Sequence, residues 1–418
     1  MEKVILAMIG LGGRGRGDLL DTLADMKDVH VAVICDKNPA TFEPANALLE
    51  KKAGYRAETT TESDEVFARA DVQGVIISTS WNSHVPLAIA AMRAGKYAAF
   101  EVGPAQNLQM CWDLIRAHEE TGVPCMMMEN CDYGEKELAL LRMIREGVFG
   151  EITYVSGGYH HDLRGMVKDL KCLDGGGRER AWQNLRRCGD LYPDHELGPI
   201  MNYLNINRGN RMVSLTTMAT KARGLTAAYR RLDEGKDDPR EFKMGDVVTT
   251  MIQCANGEVI VLQHDTCTPQ PYSRGGRVQG TKGIWNADMH SIHLEGITEQ
   301  DKWDSDEPYL LKYRHPFWND KQKYLDLEYH HGGMDMMLLR SFVHSIRNGE
   351  NTVIDAYDSA TMLAIPVLTE ESIQHGSAPV AIPDFTAGRW IDRPLAPPSM
   401  FSLDAYYPEF FPEGWTIE

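Results

Sequence analysis

Tyr192 and His195 stand three residues apart in Gly189-Asp190-Leu191-Tyr192-Pro193-Asp194-His195-Glu196-Leu197-Gly198-Pro199, at what reads as the start of a helix. Three residues is about one helical turn, so both side chains can share a face. A phenol beside an imidazole offers proton transfer. Arg180 precedes the pair in a polar segment, and Tyr159 lies in Gly158-Tyr159-His160-His161-Asp162-Leu163-Arg164 behind a β-rich run. Tyr272 lies in Pro271-Tyr272-Ser273-Arg274. A guanidinium adds charge stabilisation and recognition of hydroxyl or carbonyl oxygens. Each residue also has a plainer role open to it: tyrosines pack at sheet edges, His195 can cap its helix, and Arg180 can pair at the surface.

A second concentration is Gly10-Leu11-Gly12-Gly13-Arg14-Gly15, which fits G-x-G-x-x-G between a strand and a helix. Gly10, Gly12, Gly13 and Gly15 permit a tight turn and a close approach of backbone to a pyrophosphate, which a helix N-terminus then stabilises. Asp36 closes the next strand about 20 residues on, where a carboxylate bonds ribose hydroxyls and repels a 2′-phosphate, so NAD is expected rather than NADP. Ser80-Trp81-Asn82-Ser83-His84, Glu101 and Asn130 follow the third, fourth and fifth strands. Residues at the carboxyl ends of parallel strands line the ligand crevice, which makes Trp81, Asn82, Ser83, His84, Glu101 and Asn130 cofactor candidates. Trp81 also suits core packing, and His84 suits a helix cap.

These residues need a scaffold, and the pattern supplies one. Val4–Ile9, Val29–Cys35, Gly74–Thr79, Tyr97–Glu101 and Pro124–Met128 read as strands. They alternate with helical segments such as Asp18–Met26, Val85–Ala94 and Leu108–Glu120. That alternation predicts an α/β, doubly wound parallel sheet, a Rossmann domain over 1–129. Past Asn130 a helix, Glu135–Glu146, leads into longer β-rich runs at Glu151–Gly157, Met212–Thr220, Asp246–Cys254 and Glu258–Asp265. The last two flank Ala255-Asn256-Gly257, a hairpin signal. An α+β domain over 130–418 with an open, mostly antiparallel sheet follows. The stretch 304–329 reads as irregular, 334–348 and 359–374 as helices, and the proline- and aromatic-rich tail from Ala378 as a surface wrap.

The 418 residues carry a net charge of −17, which disfavours nucleic acid and anionic membrane surfaces as partners. No run reaches the ~20 apolar residues of a membrane span, and the apolar N-terminus turns directly into the glycine loop instead of a cleavage site. Eight scattered cysteines without a Cys-x-x-Cys pair fit a reduced, cytoplasmic protein. His160-His161 and His330-His331 are adjacent pairs, unlike the His-Glu-x-x-His spacing that puts two ligands on one helix face, so no metal is expected. No Gly-x-Ser-x-Gly elbow points to a serine nucleophile.

Gly10–Gly15, Asp36, His84 and Glu101 in this layout resemble the Gfo/Idh/MocA family of NAD(P)-dependent sugar enzymes. That family usually shows Glu-Lys-Pro after the fourth strand, with the lysine assisting proton transfer. Here the run is Glu101-Val102-Gly103-Pro104. Glu101-Val102, Glu129-Asn130, Gly158-Tyr159 with His161–Arg164, Leu191-Tyr192-Pro193 with His195, Leu197-Gly198-Pro199, Pro271–Arg274, Gly332-Gly333-Met334-Asp335, Asp355–Asp358 and Ile382–Phe385 resemble glycoside hydrolase family 109. The resemblance implies an NAD-dependent glycosidase acting on N-acetylgalactosaminides or related hexosides. It implies that Gly13, Arg14, Asp36, Trp81, His84, Glu101, Val102 and Asn130 contact NAD, and that Tyr159, Arg180, Tyr192, His195 and Tyr272 contact the sugar. Asp194 and Glu196 stand where smaller, uncharged residues are expected.

The implied chemistry is coherent. Oxidation at C3 of the sugar acidifies the proton at C2, which Tyr159 or His195 removes. The aglycone leaves from C1, water adds back, and C3 is reduced again, so NAD is recycled. Arg180 suits the enolate oxygen. Two other expectations compete: a sugar dehydrogenase with net NAD turnover, and a non-catalytic NAD-binding sensor. An uncovered face on the second sheet predicts a homo-oligomer.

Overall fold

The computed structural model describes residues 2–171, 178–320 and 330–415. Cys172 and positions 321–329 of the stretch read as irregular lie outside the described residues.

Six parallel strands form the first sheet in the order β3-β2-β1-β4-β5-β6. They are β1 (Val4–Ile9), β2 (Val29–Cys35), β3 (Glu58–Thr60), β4 (Gly74–Ile77), β5 (Tyr97–Phe100) and β6 (Cys125–Met127). The order reverses at β1, and the crevice beyond the carboxyl ends of β1 and β4 is where such sheets hold dinucleotides. The central strands are apolar throughout because helices cover both faces: Leu6, Met8, Val31, Ile34, Ile76, Ile77 and Phe100 are buried. β3 escaped notice in the sequence because Glu58-Thr59-Thr60 is short, polar and mostly exposed.

Two helices of the first domain start earlier than their apolar spacing suggests, as does Ala356–Gln374 in the second. The chain enters a wide helical turn directly at Gly13–Leu20 and continues as Asp21–Asp25. The Trp81–Arg93 helix takes Trp81–His84 as its first turn and carries Pro86 inside its second, where the missing amide leaves the Asn82 carbonyl without its helical donor.

The second sheet has nine strands in the order β14-β13-β12-β11-β7-β10-β9-β8-β15. They are β7 (Ile152–His160), β8 (Met212–Ala219), β9 (Val248–Cys254), β10 (Val259–Asp265), β11 (Arg277–Gly280), β12 (Gly283–Asn286), β13 (Ser291–Leu294), β14 (Asp304–Ser305) and β15 (Val380–Ala381). Every pairing is antiparallel except β7 with β10. The Asn256-Gly257 turn joins β9 and β10 as expected, with Gly257 at φ +104°. β7 runs three residues past its expected end and so carries Tyr159 in the sheet itself.

The Ala356–Gln374 helix lies between the sheets and is buried over most of its length. Near its start Ser359 Oγ accepts the Met127 amide of β6 at 2.8 Å; near its end Ser372 Oγ accepts the Thr217 amide of β8 at 2.9 Å. One apolar core runs through both sheets. The tail returns across it: Phe401 and Leu403 are buried, and the Tyr133 hydroxyl donates to the Phe401 carbonyl at 2.9 Å.

Candidate active site

The glycine loop divides its glycines between two tasks. Gly10 has φ +94°, and a Cβ there would stand 2.2 Å from the Ser78 carbonyl oxygen. A Cβ on Gly15 would stand 2.1 Å from the Gly10 carbonyl oxygen. These two serve packing of loop on strand. Gly12 and Gly13 have no atom within 4 Å of a Cβ position, so their backbone faces open space, as a pyrophosphate requires. Asp36 Oδ2 accepts the Leu11 amide at 2.7 Å and Oδ1 the Asn38 amide at 2.8 Å, which locks the acid at the lip of this cradle. The residues present therefore fit a dinucleotide.

Arg14, Glu101 and Asn130 converge on a residue the sequence reading did not single out. Asp335, buried at the start of the Met334–Asn348 helix, accepts from Arg14 Nη1 at 2.5 Å and Nη2 at 2.8 Å. It also accepts from Asn130 Nδ2 at 2.7 Å and pairs with His331 Nδ1 at 2.9 Å. Arg14 Nε donates to Glu101 Oε1 at 2.8 Å. Burial opposes the charge on both Arg14 and Asp335, and the pairing outweighs it: Arg14 stays cationic and the Asp335 carboxyl falls well below the usual range. Burial pushes Glu101 up against the pull of Arg14.

The Ser80–His84 run is split. Trp81 lies over Gly103, where a Cβ would stand 2.4 Å from Nε1. The Trp81 and Asn82 amides donate to the Glu179 carboxylate at 2.6 and 3.4 Å, so a carboxylate from the Arg178–Arg186 helix caps the helix that Trp81 begins. Asn82 and Ser83 side chains bond Ser80 and Thr79 within the same helix entry. His84 is buried with Nε2 2.9 Å from the Thr79 carbonyl, and burial lowers it to about 4, which keeps it neutral. Val102 is buried in the apolar core.

Tyr159, Arg180, Tyr192, His195 and Tyr272 form one cluster, although they arise from β7, two helices and two loops. Tyr159 has ring centroids 4.8 Å from Tyr192, 5.5 Å from His195 and 5.9 Å from Tyr272. Tyr192 and His195 meet edge-on at 5.0 Å, as their spacing predicts. The Arg180 guanidinium lies 4.2 Å from the Tyr192 ring centroid and 5.3 Å from that of Trp81. Trp81 in turn stacks on Tyr192 at 5.9 Å, so the two candidate sets share a wall.

Two partners of this cluster were within quoted motifs but carried no local signal of their role. The His161 ring nitrogen Nδ1 lies 3.0 Å from the Tyr159 hydroxyl. Glu129, fully buried, lies 2.9 and 3.0 Å from His195 Nδ1 through its two oxygens and also accepts the Cys131 amide at 2.8 Å. Burial raises the Glu129 carboxyl, and the His195 ring and Cys131 amide outweigh it, leaving it below its usual value. The carboxylate fixes the proton on Nδ1 and leaves Nε2 as the basic nitrogen. Glu129, Cys131 and His195 also bring three potential metal-ligand atoms within 4.8 Å of one another, a grouping the search for His-Glu-x-x-His spacing could not detect.

Asp194 and Glu196, the two unexpected acids, are buried. Burial, then the charges of Glu129 and Asp190, hold the Asp194 carboxyl well above the usual range. Burial pushes Glu196 up to about 8 against the attraction of Arg274. Both point to neutral acids packed behind the cluster.

Comparison with known proteins agrees with this anatomy. Residues 4–129 match the profile of the oxidoreductase family with an NAD-binding Rossmann fold, GFO_IDH_MocA, and residues 133–392 match the glycosyl hydrolase 109 C-terminal domain. A glycosyl hydrolase family 109 protein of Stenotrophomonas maltophilia is 39% identical over 430 residues, spanning 97% of this chain and 93% of its own length. An alpha-N-acetylgalactosaminidase of Tannerella forsythia is 38% identical over 413 residues, with 92% and 86% covered. Among solved structures, an NAD-binding oxidoreductase from Klebsiella pneumoniae superposes with a TM-score of 0.68 at 18% identity, covering 91% of this chain and 99% of its own. Levoglucosan dehydrogenase with NADH and levoglucosan superposes with a TM-score of 0.67 at 17% identity, covering 92% and 100%. These two share the fold. The chain belongs to glycosyl hydrolase family 109 and is a glycosidase whose N-terminal Rossmann domain binds NAD.

Proposed function

We propose that this glycosidase cleaves N-acetylgalactosaminides or related hexosides, with 1–129 holding NAD and 130–418 holding the sugar between Tyr159, Arg180, Tyr192, His195 and Tyr272. Gly10, Gly12, Gly13, Arg14, Gly15, Asp36, Trp81, Asn82, Ser83, His84, Glu101, Val102 and Asn130 make up the cofactor side. Bound NAD supplies reversible oxidation at C3 of the sugar. The protein's own residues orient the ring and move the C2 proton.

Tyr159 and His195 are the two groups placed to take that proton. Glu129 aligns His195 and stabilises its imidazolium; the His161 ring shares a hydrogen bond with the Tyr159 hydroxyl. Arg180 offers a cation for the enolate oxygen, in a site of aromatic walls where fixed charge counts most. Loss of the C2 proton expels the aglycone from C1, and water adds there before C3 is restored. The observation that carries this reading is the gathering of Tyr159, Arg180, Tyr192 and Tyr272 around the Glu129–His195 pair, with Tyr192 stacked on Trp81 of the cofactor side. Val102 opposes a dehydrogenase reading, because it places an apolar side chain where that chemistry uses a lysine.

The second sheet leaves Met218 66% and Met251 51% exposed on neighbouring strands β8 and β9, which supports pairing of two copies through that face. No helix among the described residues is long and apolar enough to cross a membrane. A reduced cytoplasmic setting suits the seven free cysteines among the described residues.

The test uses as-purified protein and nitrophenyl N-acetyl-α-D-galactosaminide in deuterated water. Expected are nitrophenol release without bulk NADH and deuterium at C2 of the product. Steady NADH accumulation overturns the glycosidase cycle, and hydrolysis without C2 exchange overturns the elimination route.

A further inference from the structure

The Asn130–Tyr133 turn after β6 and the first turn of the Asp194–Tyr203 helix face each other across the site. Between them Glu129, Cys131 and His195 present a carboxylate oxygen, a sulfur and an imidazole nitrogen, all within 4.8 Å of one another. Glu129 is 0% exposed and Cys131 2%, so both ligands are withdrawn from bulk water. The geometry points to a binding site for a single thiophilic divalent cation of the zinc class, whose occupancy shuts the enzyme off.

The donor set selects the ion. Thiolate and imidazole favour zinc-class ions over magnesium or calcium, which prefer all-oxygen shells. Three protein ligands leave one position open for water or a sugar hydroxyl. Charge also balances: one carboxylate and one thiolate cancel a divalent cation, which removes the penalty of a buried net charge.

Binding displaces protons in a defined way. The Cys131 thiol loses its proton to solvent as the metal–sulfur bond forms. His195 currently directs Nδ1 at Glu129, 2.9 Å away. Coordination through Nδ1 breaks that hydrogen bond and moves the ring proton to Nε2. Coordination through Nε2 occupies the basic nitrogen directly. Either way His195 can no longer accept a proton. Two of the ligands, Glu129 and His195, also serve the proposed proton transfer; metal binding itself does not depend on that reading, and the inhibitory part rests on it.

Cobalt titration into chelator-treated, NAD-loaded protein reads the site without turnover. A sulfur-to-cobalt charge-transfer band saturating at one ion per chain is expected. It is expected to vanish in Cys131→Ser and to persist in Cys188→Ser, which removes a half-buried cysteine elsewhere. In wild-type protein, zinc added after cobalt should displace it and abolish the band, a readout that needs no variant. No band, a band that survives Cys131→Ser, or a band that zinc leaves unchanged overturns the site. Zinc should also inhibit glycoside cleavage, with the inhibition at least roughly tenfold weaker in Cys131→Ser relative to its own metal-free rate. Cobalt binding without zinc inhibition overturns the inhibitory role.

Discussion

The cofactor crevice and the aromatic cluster share the Trp81–Tyr192 contact but are assembled by different physics. The crevice is made of backbone and fixed charge. Its loops follow successive parallel strands, and Asp335 bolts Arg14 and Asn130 together with bonds of 2.5 to 2.8 Å. The cluster is made of rings and movable protons. Its members come from separate elements and touch at centroid distances of 4.8 to 5.9 Å. Damage to the crevice should loosen NAD while leaving proton transfer intact. Damage to the cluster should stop turnover while NAD stays bound.

Tyr159→Phe gives the sharpest separation, because it removes one hydroxyl from the centre of the cluster and keeps the ring. A positioned acid–base group is worth about 10² to 10⁴ in rate. A fall in kcat of that size, with the bound NAD content unchanged, is expected. If NAD is lost as well, the two regions are not separable. If kcat barely moves, the C2 base is His195 alone.

Asp335→Asn makes the converse cut. It replaces by an amide a carboxylate that accepts three hydrogen bonds from Arg14 and Asn130 and pairs with His331, and bonds to charged groups contribute about 1.5–3 kcal/mol each. Loss of one such contribution weakens NAD binding roughly ten- to hundredfold. Calorimetry with NAD should show that drop, while kcat at saturating NAD changes much less. An equal fall in kcat would show that Asp335 also orders the cluster.

The same contrast explains what was legible in the sequence. The crevice was readable because its residues sit at fixed offsets from strand ends: Gly10 to Gly15, Asp36, Glu101 and Asn130 all lie where the strand pattern places them. The parallel first sheet and the mostly antiparallel second layer followed from periodicity and the Asn256-Gly257 turn, whereas the strand orders are set by pairings between distant segments. Glu129 and Asp335 were visible only as parts of motifs, because their roles are fixed by side chains 66 and 321 positions away. The same holds for Glu179, which caps a helix 98 positions earlier. The cluster was legible as residue types, and its assembly was not, since Tyr159 and Tyr272 meet only through the fold of the nine-stranded sheet. The short strands β3, β14 and β15 had too few apolar residues to signal themselves.

Behind the cluster, buried acids give a smaller, pH-dependent effect. Glu196 is raised from 4.5 to about 8 by burial, with Arg274 opposing and Glu137, Glu129 and Asp288 adding repulsion. The folded state therefore holds a proton that the unfolded chain releases above its ordinary value. Stability from this group is complete below about 4.5 and declines as pH rises towards 8. His84 and His264, lowered to about 4 and about 3, act in the opposite direction as pH falls below 6.5, so the whole-protein profile mixes the two. A difference measurement isolates Glu196. Glu196→Gln should raise Tm by a few degrees at pH 8.5 and by little at pH 5.5. An equal shift at both values would mean that packing, not ionisation, sets the effect.

Tyr272 marks the edge of the cluster and the smallest effect. It is 51% exposed, in contrast to Tyr159 at 6%, yet its ring meets His161 at 5.2 Å. A hydroxyl in that position can bond a sugar group but is too solvated for its removal to cost what a buried donor does. Tyr272→Phe should raise KM about two- to fivefold, the equivalent of one exposed hydrogen bond, and leave kcat unchanged. A kcat effect as large as that of Tyr159→Phe would place Tyr272 in the proton path and extend the catalytic centre out to the rim of the sheet.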